Sequence, residues 1–475
     1  MTLKSNILRV VTIIFLVLTT LLLYHNLGRD YLFDWDESIY AQLGVEQNLS
    51  NFLTPTWNGE LWLEKPPLIA HITALGSSLS SDPELGARLL IPVFTIITLG
   101  SVYVIGSSHL GGPVAASVAT IILTSFDLFI GRSRSVNTDI LLLAGITTAA
   151  ALILKNAKPY LVAIALAFAI FAKGPAGILA VLITLPLFLT KDKKYFLLST
   201  FYLLVYTLPW HVYQLLKNGA DFYTPYLLEQ VIRRVTVPIE FHLESRWFYF
   251  EHLYRDLGVG TLFAAFIGLI ISLKQKKYLL SWWVFFPLCL FTIAKTRLSW
   301  YILPVYPAIA LGIGYLFKSL ARKINKKYSQ LVIILVVGAA LQSLLHLSRT
   351  IEYSRGYTHY PDHIKIASLL SQQPEPNIAY LVSASERTAE AILPDDQRLS
   401  SSFRYGGAPS LVFYSKKHVV YYYNYDHFTN DLINNLHTLA VVTEGDVDKV
   451  PPGYLLIAKL GSYYAYQKDS LYANR

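Results

Sequence analysis

The alternation of apolar and polar positions along this chain has two regimes that meet near residue 350. Before that point, apolar runs recur at the length a membrane-spanning helix needs, about 20 residues. The first covers residues 8–24, and others cover 86–108, 113–131, 137–154, 159–172, 174–190, 195–213, 258–273, 278–294, 299–317 and 329–348. Eleven spans are thus predicted, the first an uncleaved anchor because no small-x-small cleavage site follows it. After residue 350 no such run follows. β-branched or alternating stretches appear instead at Asn377–Ser383, His418–Asn424, Thr438–Glu444, Tyr454–Leu460 and Tyr463–Lys468, with helix-like segments at 361–372 and 384–393. Alternating strands and helices over this length predict a small α/β domain. The chain therefore divides into a membrane domain, 1–349, whose first long loop is 25–85, and a domain of residues 350–475.

Charge orients the spans. With the N-terminus (Lys4, Arg9) in the cytoplasm, alternation puts Lys155/Lys158, Lys191/Lys193/Lys194, Lys274/Lys276/Lys277 and Lys318/Arg322/Lys323/Lys326/Lys327 on that same side, opposed only by Asp192. The 25–85 loop falls on the other side, with nine acidic residues against Arg29 and Lys65. Short basic loops mark the cytoplasmic face. An odd number of spans then places the C-terminal domain outside the cytoplasm.

Composition agrees. Hydrophobic residues make up 53% and charged residues 15%, with a mean hydropathy of +0.42. A soluble domain carries roughly 25% charge, and disorder needs low hydrophobicity. The net charge of +9 is a topology signal, since its basic residues form no accessible soluble face for nucleic acid. Cys289 is the one cysteine, which rules out an internal disulfide framework or a cysteine-rich metal centre.

The unusual polar clusters lie beside the outer helix ends. Asp34-Trp35-Asp36-Glu37-Ser38-Ile39-Tyr40 follows the first span. Its carboxylates either cap a helix starting near Ser38 or act as a general base. Glu64-Lys65-Pro66-Pro67 precedes Leu68–Leu79, too short to span and read as an interfacial helix. Lys65 there is either a plain anchor or a phosphate ligand. In Arg132-Ser-Arg134-Ser-Val-Asn137-Thr138-Asp139, Asn137 or Thr138 caps the next helix, while the arginines suit an anion. Lys173, in the Ala172–Pro175 break, sits on the outer side against the charge bias and needs a partner. The 214–257 loop carries Arg233, Arg234, His242, Arg246 and several carboxylates; Lys295, Arg297 and Tyr301 precede Pro304 and Pro307. Together these predict an outer-face site for a phosphorylated lipid, with carboxylates acting on an acceptor and cations on the departing phosphate.

Five of these motifs, in this order, resemble the membrane-embedded GT-C glycosyltransferases, in the bacterial branch related to protein O-mannosyltransferases and lipid A aminoarabinose transferases. They are Trp35–Ala41, Glu64–Leu68, Arg134–Asp139, Ala172–Pro175 and Lys295–Pro307. The resemblance implies a polytopic α-helical GT-C-like fold of about 11–13 transmembrane helices with an extracytoplasmic α/β domain. It also implies an inverting transfer of a sugar from a polyprenyl-phosphate donor to a lipid, glycan or protein acceptor, with no nucleotide sugar. Catalytic roles fall on Asp36, Asp139 and Glu37, and substrate contacts on Lys65, Tyr40, Arg134, Lys173, Arg246, Lys295, Arg297 and Tyr301. Glu64 with His242 would be the pair for a divalent metal, which not every branch uses. A transporter or flippase of lipid-linked sugars is the competing reading. Its ionisable residues would lie in broken helices near the bilayer midplane, often with inverted repeats, whereas the charges here sit at outer helix ends and no repeat is visible.

Overall fold

The computed structural model describes residues 2–323, 329–354, 361–394, 397–399 and 402–469. Each of the eleven apolar runs coincides with a helix. Among the described residues, six helical stretches are long and apolar enough to cross a membrane. A seventh arises if Pro113–Leu123 and Asp127–Arg134, bent by 72°, count as one; Thr138–Leu154 and Leu279–Ile293 are shorter. The Pro159–Phe188 stretch folds back on itself. At Gly174 the backbone takes φ 58°, and a Cβ on Gly177 would meet Ile170 Cα at 2.3 Å. Tyr195 OH then donates to the Ala157 carbonyl at 2.7 Å, so the legs Pro159–Lys173 and Leu179–Phe188 run antiparallel. They occupy the runs expected as two spans at 159–172 and 174–190, which together make one of the six long apolar stretches.

Several boundaries differ from the sequence reading. The expected 195–213 span extends through Lys193–Tyr223, and the expected 258–273 span starts earlier, at Phe248. The expected 299–317 span opens with a tight 3-10 turn, Ser299–Val305, around Pro304. The expected edge of the membrane domain at 349 falls inside the helix Ser329–Ser354. Lys326 and Lys327 lie outside the described residues.

Lipid-facing and packed faces separate along the first helix, Thr2–Tyr24. Val10, Ile13, Ile14, Val17 and Leu21 are exposed at helical spacing, while Leu8, Phe15 and Leu23 are buried. Where two helices meet backbone to backbone, a glycine permits it: a Cβ on Gly268 would lie 1.9 Å from the Gly312 carbonyl oxygen.

The two ends of the bundle differ in charge. Lys277 and Lys318 donate to the carbonyls of His109 and Leu110, and Lys191 to Asn156, so these basic connectors gather at one end. The opposite end carries the first loop, with helices Asp36–Glu46 and Leu68–Ser78, and the C-terminal domain. That domain holds a five-stranded sheet in the order His418–Tyr422, Asn377–Leu381, Leu439–Thr443, Tyr463–Lys468, Tyr454–Leu460. The first three strands are parallel and the last two form an antiparallel hairpin with a bulge between Leu456 and Ala458. Ile378–Leu381 is buried throughout, as parallel central strands are. The expected helices appear as Asp362–Leu370 and Ala384–Ile392; Ser410–Ser415 and Tyr425–Ile433 were not expected. Ser410–Ser415 packs on Asp36–Glu46 and seats the domain on the first loop.

Candidate active site

A cavity of about 290 Å³ opens where the first loop, the helix hairpin and the 224–305 segment converge. One wall carries Glu64, Lys65, Asp139, Lys173, Gln230, Arg234 and Tyr301. The rest is apolar, including Ile178, Leu179, Leu182, Leu290 and Phe291. A larger cleft, about 1040 Å³, separates the first loop from the C-terminal domain. Its Gln42, Val45 and Glu46 occupy the face of their helix opposite Asp36 and Tyr40, and none of the expected site residues lines it.

Local structure sets each charge. Pro66 and Pro67 end the extended segment and lead into the helix at Leu68, fixing Glu64 and Lys65 just ahead of it. Asn137 caps Thr138–Leu154 through the Ile140 N–H at 2.9 Å, which puts Asp139 in the first turn. Asp139 is buried and forms an ion pair with Lys173, the last residue of its helix. The Lys173 ammonium also lies over the Tyr301 ring, 5.3 Å from its centroid. Tyr301 OH accepts from Arg234 at 2.9 Å. Lys65 lies over Tyr40 and Trp62, at 5.4 and 5.6 Å, and among the described residues no carboxylate is within ion-pair distance of it. Burial lowers the Lys65 pKa, with Glu64 and Asp36 pulling it back up. Burial also drives the Tyr40 phenol up, reinforced by Asp36, Glu64 and Asp139.

Asp36 begins its helix after Trp35, which is held at φ 67°, a region costly for a non-glycine residue. Its side chain is 43% exposed, with Arg132 at 4.0 Å. Arg132 in turn stacks over Trp300 at 4.2 Å. Asp36 does not line the cavity, but it acts electrostatically on both Tyr40 and Lys65. Of Asp36, Glu37, Glu64 and Asp139 it is the most exposed.

Several expected site residues serve the scaffold instead. Glu37 is 3% exposed and saturated: Oε1 accepts from Arg88 Nε and Val136 N–H, Oε2 from Arg88 Nη2 and Phe33 N–H. A catalytic role for Glu37 is thereby corrected, because no lone pair faces the cavity. Arg134 donates to the Leu22, Leu23, His25 and Asn26 carbonyls, closing the end of the first helix. Arg297 is buried and donates to the Glu244 and Thr292 carbonyls. Lys295 and Arg246 are exposed and do not line the cavity. The Glu64–His242 pair does not form. Glu64 accepts from Tyr405 and Gln230, while His242 faces Arg234 and Glu244. Among the described residues no group of three or more His, Cys, Asp and Glu could hold a metal ion.

Arg132 and Arg234, named in the outer clusters without a role, contact Asp36 and Tyr301, and Gln230 and Tyr405 reach Glu64. The two arginines carried a signal, basic charge on the outer side. Tyr405 carried none, because it reaches Glu64 across 341 positions of sequence.

Residues 64–213 match the family described as Dolichyl-phosphate-mannose-protein mannosyltransferase. An uncharacterized protein from Aquifex aeolicus is 29% identical over 69% of this chain and 68% of its own length. The undecaprenyl phosphate-alpha-4-amino-4-deoxy-L-arabinose arabinosyl transferase 2 of Pseudomonas fluorescens is 26% identical over 66% of this chain, which spans 58% of that relative. The crystal structure of ArnT from Cupriavidus metallidurans bound to undecaprenyl phosphate superposes with a TM-score of 0.74, covering 96% of this chain and 97% of that one at 16% identity. By matched segment, relatives and fold, the chain resembles the ArnT-like GT-C membrane glycosyltransferases and shares their fold.

Proposed function

We propose that the protein transfers a sugar from a polyprenyl-phosphate donor to a lipid, glycan or protein acceptor at the outer face of the cytoplasmic membrane. The observation that carries this is the make-up of the cavity, with Lys65, Lys173, Arg234 and Tyr301 together at one wall and an apolar lining elsewhere. A phosphate fits the first and an isoprenoid chain the second. The fold it shares with a structure bound to undecaprenyl phosphate supports the same reading.

In this mechanism the acceptor atom attacks the anomeric carbon on the face opposite the phosphate. The new bond forms as the C1–O bond to the phosphate breaks, the configuration inverts, and polyprenyl phosphate leaves. Asp36 takes the acceptor proton, and Lys65, Lys173 and Arg234 stabilise the charge on the leaving oxygens. Asp139 holds Lys173 in place. The reading assigns no step to a metal ion.

The basic connectors at the other end support a cytoplasmic N-terminus and a C-terminal domain on the outer side. A flippase would keep the sugar–phosphate bond intact, leaving Asp36 without a task. The test has two parts. Purified protein should bind undecaprenyl phosphate, and Lys65→Ala and Arg234→Ala should weaken that binding. Mass spectrometry of a deletion strain should show one envelope sugar missing, with the lipid-linked donor accumulating. An unchanged envelope, or tight binding in both variants, would overturn the proposal.

A further inference from the structure

Tyr405 belongs to the C-terminal domain yet is 5% exposed within the first loop. Its hydroxyl accepts from Trp62 Nε1 at 2.9 Å and donates to Glu64 Oε1 at 2.6 Å. An indole only donates, so the phenolic proton is directed to Glu64. The ring is fixed as well. Trp57 meets it edge-on at 4.8 Å, and Trp35, the neighbour of Asp36, at 6.2 Å. Tyr405 therefore reaches two of the three motif segments that supply site carboxylates, those of Asp36 and Glu64. Glu64 has one other direct partner among the described residues, Gln230, at a long 3.4 Å. Around the Glu64 carboxylate stand Lys65, Arg234 and Tyr40. The domain is pinned in register with this contact. Arg404 Nη1 donates to the Leu61 carbonyl at 3.0 Å, Asp34 accepts from the Ser410 N–H at 3.0 Å, and Tyr414 OH donates to Glu84 at 3.0 Å.

We infer that the C-terminal domain completes the active site through Tyr405, a positioning residue that holds the Glu64 carboxylate beside Lys65 and Arg234 for the transfer step. The inference rests on the transferase reading. It gives the domain a part in the reaction itself.

Membranes of the deletion strain supply both the accumulated donor and the unmodified acceptor, and donor consumption is followed by mass spectrometry. Tyr405→Phe keeps the ring and removes the hydroxyl. It should lower kcat roughly 10- to 100-fold, the range of a hydrogen bond to a charged group. KM for the donor, undecaprenyl phosphate binding and thermal unfolding should stay at wild-type values. In a Glu64→Gln background the same substitution should have no further effect. Glu64→Asp, which keeps the charge but withdraws it from the hydroxyl, should reproduce the kcat loss even if Tyr405→Phe proves unstable. A wild-type rate in Tyr405→Phe, or losses that simply multiply in the double variant, would overturn the inference. Wild-type protein that consumes no donor would overturn the transferase reading, and this one with it.

Discussion

Glu37→Gln should unfold the first loop rather than remove a catalytic group. The substitution preserves shape but deletes a charge from a site where both carboxylate oxygens are occupied, by two bonds from Arg88 at 2.7–2.8 Å and by the Phe33 and Val136 peptides. A glutamine offers one oxygen for these four donors, and its amide would face N–H groups. Arg88 would keep its bonds to the Leu27, Asp30 and Tyr31 carbonyls and lose its counter-charge. Removing one partner of a buried pair costs about 3–5 kcal/mol. A folded domain has only about 5–15 kcal/mol in total, so the loss is a large share of it. Thermal unfolding in detergent, read as the fraction remaining monomeric after heating, should show a clearly lower midpoint. Glu37→Gln combined with Arg88→Met removes the orphaned charge and should recover part of the loss. If Glu37→Gln unfolds like wild type and still loses transfer, Glu37 carries chemistry and the scaffold assignment is wrong.

Asp36→Asn should abolish transfer with unchanged unfolding, since the carboxylate is half-exposed and Arg132 lies no closer than 4.0 Å; retained transfer would remove it as the base. Arg134→Ala opens the end of the first helix and should lower the unfolding midpoint while leaving KM for the donor unchanged; a raised KM would return Arg134 to the substrate site. Lys65 binds phosphate only when protonated, and burial lowers its pKa below the ordinary lysine value of 10.5. Undecaprenyl phosphate binding, measured across pH, should therefore be full below that lowered value and weaken as pH rises through it, with Lys65→Arg moving the loss to higher pH. An identical profile in Lys65→Arg would show that another group titrates.

Much of the architecture was legible in the chain. The apolar runs, the basic connectors and the five strands each follow from local composition, because bilayer thickness and strand pleat impose their periods residue by residue. Three site residues were legible for a similar reason. Lys65, Asp139 and Lys173 stand beside prolines, caps and helix breaks that fix where a side chain emerges. Glu37 and Arg134 misled, because a buried ion pair and a helix cap use the same residue types as a catalytic carboxylate and an anion ligand. Only their partners, Arg88 and the carbonyls of the first helix, tell the roles apart.

The sequence by itself determined that the chain crosses a membrane repeatedly, that its unusual charges lie at one end, and that a sheet-bearing domain follows. Those properties depend on hydrophobic period and charge bias, which act locally. The tertiary structure decided which charges meet. It paired Asp139 with Lys173, brought Arg234 to Tyr301, left Lys65 with no carboxylate within ion-pair distance among the described residues, and carried Tyr405 to Glu64. Such contacts join positions tens to hundreds of residues apart. Their geometry comes from how helices and domain pack together, and no local pattern along the chain records it.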